Sequence, residues 1–81
     1  MRTYIEAVNE EYDWITSTIN ELWEEAYESG KVLDSEPREL YNHAVFLRRQ
    51  LKPNGEFSKD FFRIMEELKG VTGDYMRAIR S

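Results

Sequence analysis

Apolar residues recur in steps of three and four through the first third of the chain, at Ile5, Val8, Tyr12, Ile15, Ile19, Leu22 and Ala26. That spacing predicts an amphipathic helix held over three heptads. No Gly or Pro interrupts residues 3–29, and Gly30 stands where a helix C-terminal stop belongs. At 1.5 Å per residue such a helix is about 40 Å long. Val32 and Leu33 are expected to tuck beneath the connector that follows.

The second helix starts from Asp34-Ser35-Glu36-Pro37, a polar cap followed by a proline that the first turn tolerates. Leu40, Ala44, Leu47 and Leu51 form its inner stripe, and Tyr41, Val45 and Phe46 widen it, which predicts a central helix over 36–52. Lys52-Pro53-Asn54-Gly55 ends it in turn chemistry. Ser58 is the expected cap of a third helix over 58–69, with Phe57 and Phe62 at the spacing of a hydrophobic staple and Gly70 as the stop. Val71, Thr72 and Met76 repeat that arrangement for a short fourth helix over 73–80. No strand pattern competes. The reading is all-α: one domain over 1–81, a small bundle of three main helices plus a short C-terminal helix.

The second and third helices come to about 24 and 18 Å at the same rise, so neither matches the first. Either the third and fourth lie end to end along it, or part of its stripe is left for a second chain. The latter would make a homodimer paired through helix one.

Charge changes the picture next. Residues 1–37 hold ten acidic and two basic residues (Arg2 and Lys31), a balance of −8. Residues 38–81 hold nine basic and six acidic, a balance of +3, and the chain totals −5. On a helical wheel Glu6, Glu10, Asp13, Glu21, Glu24 and Glu28 fall opposite the apolar stripe of helix one, flanked by Trp14 and Tyr27. Trp23 lies nearer the stripe and is expected in the core. A solvated face that keeps a small protein dissolved is the plain reading of such a stripe. Two features favour a binding role. Glu6/Glu10, Glu21/Glu25 and Glu24/Glu28 are like-charge i,i+4 pairs, and Glu24, Glu25 and Glu28 sit where the helix dipole disfavours anions. Antiparallel packing would set Arg48, Arg49 and Lys52 against Glu6, Glu10 and Asp13. That arrangement leaves Glu21–Glu28 under-compensated.

The candidate partner-binding residues are therefore Trp14, Glu21, Glu24, Glu25, Tyr27 and Glu28, aromatics being enriched at binding hot spots. Arg48, Arg49, Lys52, Arg77 and Arg80 form a candidate basic patch for phosphate or an acidic partner. A helix-turn-helix reading of the third helix, with Lys59 and Arg63 on DNA, meets Asp60, Glu66 and Glu67 on the same helix.

Sharper chemistry finds no support in the residues. There is no Cys for disulfides or thiolate metal sites, and one glutamate-rich helix face spreads its carboxylates too widely for a closed metal cage. His43, the sole histidine, has Glu39 one turn before it but no nucleophile placed by a motif. Neither a phosphate loop nor an apolar run long enough to span a membrane occurs. The start lacks a signal peptide's apolar stretch, so the expected setting is the cytoplasm of a cell or of an infected host. The sequence thus points to a non-enzymatic protein without cofactor or metal. Its expected partner is a protein with a basic surface, and one form of this is a phage-type inhibitor that mimics nucleic acid. The alternatives are the homodimer and a nucleic-acid-associated protein using the basic C-terminal half.

Overall fold

The computed structural model describes residues 3–81, which fold as three helices: α1 (Tyr4–Glu28), α2 (Ser35–Leu51) and α3 (Phe61–Arg80). A single 3-10 turn, Pro53–Gly55, interrupts the link between α2 and α3. Thr3 caps α1, its Oγ1 accepting from the Glu6 N–H at 3.1 Å. The other end closes in a Schellman arrangement. Lys31 N–H donates to Ala26 O and Gly30 N–H to Tyr27 O, with Gly30 at φ 79°, a conformation that glycine reaches without steric cost.

Inter-helix contacts give the topology. Tyr4 meets Phe62 edge-on at 5.8 Å, Glu11 pairs with Lys69, and Glu25 pairs with Arg80, so α3 runs parallel to α1. Lys52, just past the end of α2, lies over the Tyr12 ring near the start of α1, so α2 is antiparallel to both. The bundle measures 41 × 23 × 19 Å, and α1, at about 37 Å, spans its long axis.

The core is continuous along that axis. Val8, Ile15 and Ile19 pack with Ala44, Leu47 and Leu51 of α2 and with Phe61, Ile64, Met65, Leu68 and Val71 of α3. Nearer the α1 C-terminus, Leu22 and Ala26 pack with Tyr75 and Ile79. The stripe of α1 from Val8 to Ala26 is thus covered within one chain, Tyr12 partly and the rest fully, with α3 alongside it as one helix.

Several expectations are corrected. The helices expected over 58–69 and 73–80 are one: Gly70 is not a stop, and Gly73 also lies inside α3. Val71, Thr72 and Tyr75 face the core on both sides of these glycines, and their burial outweighs a glycine penalty of about 1 kcal/mol apiece. Ser58 does not cap α3; its Oγ accepts from the Asp60 N–H, Asp60 stands at the cap, and the helix begins at Phe61. The Phe57–Phe62 staple does not form. Phe57 packs on Phe61 and Tyr12, and Phe62 on Phe61 and Tyr4. Ile5 and Phe46 are exposed, and Trp23 is half-buried rather than core. Val32 does tuck against the Leu22–Tyr75 cluster, but Leu33 beside it is 78% exposed.

Candidate functional site

The last three turns of α1 carry Glu21, Glu24, Glu25 and Glu28 with no basic residue in the final turn. Only one of the four is neutralised. Both oxygens of Glu25 receive the Nε–H of Arg80 at 3.2 Å, because wheel position turns this side chain toward α3. Glu21, Glu24 and Glu28 are exposed and have no ion pair among the described residues. Lys31, the nearest cation in sequence, donates its Nζ to Ser81 O at 2.6 Å. Three carboxylates therefore stand together over about 10 Å of helix. Each has a like charge within one turn and a carbonyl terminus beyond it.

One aromatic flank of this acidic face is a stacked pair. The rings of Trp23 and Tyr27 lie 5.5 Å apart at 17°, and Tyr27 is 65% exposed. Trp23 was missing from the expected site because it shares the wheel angle of Ile5, at the edge of the apolar stripe. Its i,i+4 relation to Tyr27 was the signal available in the sequence. Trp14 is 52% exposed but lies two turns away on the α3 side. Lys69 Nζ stands 5.8 Å from its ring centroid and 3.4 Å from Glu11 Oε2. With Glu10, these residues line a separate cleft of about 310 Å³. The structure therefore gathers Glu21, Glu24, Tyr27 and Glu28, turns Glu25 aside and separates Trp14.

The five basic candidates are not brought together either. Arg48, Arg49 and Lys52 lie at the end of α2, beside the start of α1, whereas Arg77 and Arg80 lie at the opposite end of the bundle. Arg77 is paired with Asp74 and Arg80 with Glu25. The expected pairing of Arg48, Arg49 and Lys52 with Glu6, Glu10 and Asp13 is absent among the described residues. Lys52 instead rests over the Tyr12 and Phe57 rings. Compensation of the α1 carboxylates comes from α3, through Lys69 and Arg80.

No known protein family, curated protein or solved structure matches this chain.

His43 Nε2 is 4.0 Å from Glu67 Oε1, with both side chains about half exposed. Among the described residues no three His, Asp or Glu side chains converge as a metal site, and no helix is long and apolar enough to cross a membrane. The Tyr75 hydroxyl is pushed up to about 12 by burial, with Tyr41 and Glu25 adding to it. Tyr75 belongs to the core, where its ring lies 5.7 Å from Tyr41.

Proposed function

We propose that this chain is a non-enzymatic binding module that docks the acidic end of α1 onto a basic surface of another protein, in the manner of a small inhibitor occupying a nucleic-acid-binding groove. One observation carries the reading. Glu11 and Glu25 are matched by cations of α3, but Glu21, Glu24 and Glu28 are left unmatched beside the stacked Trp23–Tyr27 pair. The three charges are spaced by about 4.5 and 6 Å along the helix axis, wider than the roughly 3.4 Å between phosphates of a DNA strand but within a factor of two of it. A basic groove built for phosphates would meet a comparable field. The stacked aromatics would supply apolar contact area at its rim.

The test is affinity purification from the native host, with wild type and with the E21K/E24K/E28K variant as bait. Recovery of one protein with a basic groove, displaced by added duplex DNA and lost with the variant, is the expected result. Equal recovery on both baits, with the variant's helical circular dichroism intact, would overturn the assignment.

A further inference from the structure

We propose that the cleft at the C-terminal end of α2 binds a phosphate group carried by a small ligand. The cleft is open to solvent, is lined by Tyr12, Arg48, Arg49, Lys52 and Asn54, and offers about 470 Å³, within the roughly 300–1,000 Å³ usual for ligand pockets. It is independent of the acidic end of α1, from which it is separated by most of the bundle's length.

Charge is the first reason. Three cations occur within five residues, and none has a carboxylate partner among the described residues, although α1 carries Glu6 and Asp13 at this same end. A C-terminal helix dipole accounts for only part of this. It amounts to about half a negative charge, against three full positive ones. Two of the terminal carbonyls are also already engaged: Leu51 O accepts from the Ser58 N–H at 2.9 Å and Arg49 O from the Lys52 N–H at 3.3 Å. A net positive field remains in the cleft.

Geometry is the second reason. Lys52 Nζ sits 5.5 Å from the Tyr12 ring centroid and 4.9 Å from that of Phe57, and the two rings are themselves packed edge-on at 5.5 Å. Those cation–π contacts hold the ammonium over the α1 side of the cleft. Arg48 is half-buried and Arg49 exposed, and both line the same open space as Lys52. Forked donors suit the several oxygens of a phosphate better than the two of a carboxylate.

Size is limited by the surroundings. The Tyr12 ring in this wall already carries Lys52 and offers no free platform for stacked bases. A chain of net charge −5 also repels an extended polyanion. The ligand class that fits is a small phosphate or pyrophosphate ester.

Amide chemical-shift titrations of the full chain test this, using pyrophosphate, AMP and a twelve-nucleotide single strand at about 50 and 200 mM salt. Saturable shifts centred on residues 48–54 and Tyr12 are expected with pyrophosphate or AMP. The R48A/R49A variant should weaken them at least tenfold while keeping the wild-type amide pattern elsewhere. The R48K/R49K variant keeps the charge without the forks and should fall between the two. If R48A/R49A fails to fold, R48K/R49K carries the test alone, with a severalfold loss expected and unchanged binding overturning the fork geometry. Absence of saturation in the millimolar range would overturn the site. Tighter binding of the single strand than of pyrophosphate, falling steeply with salt, would overturn the small-ligand assignment.

Discussion

Replacing Gly70 with alanine should stabilise this protein, and the sign of that effect tests the continuity of α3. A glycine in a helix interior costs about 0.5–1 kcal/mol relative to alanine, because it loses more backbone freedom on folding. That gain survives only if the new methyl meets nothing. A Cβ built at Gly70 has no heavy atom within 4 Å, and one at Gly73 meets only Arg77 Nη1, at 3.8 Å, an ordinary van der Waals distance. Each substitution should therefore add about 0.5–1 kcal/mol, and for a domain of this size 1 kcal/mol raises Tm by about 4–8 °C. The assay is thermal and urea unfolding followed by far-ultraviolet circular dichroism, with the urea m-value unchanged. Were Gly70 instead the stop between two helices, it would hold a left-handed conformation, and alanine there would destabilise by about 1 kcal/mol. A lowered Tm for Gly70→Ala would thus refute the continuous helix. Gly30, at φ 79°, is the internal control: Gly30→Ala should lower stability by about 1 kcal/mol.

Three further outcomes follow from the core. Thr72 Oγ1 is buried without a hydrogen-bond partner, so Thr72→Val, which keeps the shape and removes the hydroxyl, should raise stability by about 1 kcal/mol in urea unfolding. Leu68 is fully buried at the centre of the larger cluster, so Leu68→Ala should cost about 2–5 kcal/mol and leave little of the cooperative transition, read as a loss of Tm. Tyr75 titrates near 12 in the folded chain against 10.0 when free, so the folded state favours its protonated form. That contribution, about 3 kcal/mol at most, is fully present below pH 10 and is lost as pH rises through 10 to 12. Unfolding measured at pH 9 and 11.5 should show the difference in wild type and a smaller one in Tyr75→Phe.

The stop and inward face of α1 were readable because they are local properties. Gly30 acts on backbone within a few residues, and the period-3.6 stripe from Val8 to Ala26 specifies a burial face wherever the partners stand. The join at Gly70 was not readable. A glycine there has the same local preference whether the helix stops or continues, and only the burial of Val71, Thr72 and Tyr75 against α1 and α2 decides between them. Trp23 was misplaced for a related reason: its wheel position is that of Ile5, at the edge of the stripe, a boundary at which packing chooses between core and surface.

The candidate site divides in the same way. Composition and periodicity alone determined that α1 carries an acidic face opposite its core, and that its C-terminal turns hold clustered glutamates without a local cation. Only the tertiary structure decided which carboxylates remain unmatched, because ion pairing depends on which helix lies alongside and at what height. The parallel placement of α3 brings Lys69 to Glu11 and Arg80 to Glu25. The antiparallel α2 carries Arg48, Arg49 and Lys52 to the far end of the bundle. Charge along a sequence is additive, but charge on a surface depends on distance, and helix order and direction set those distances.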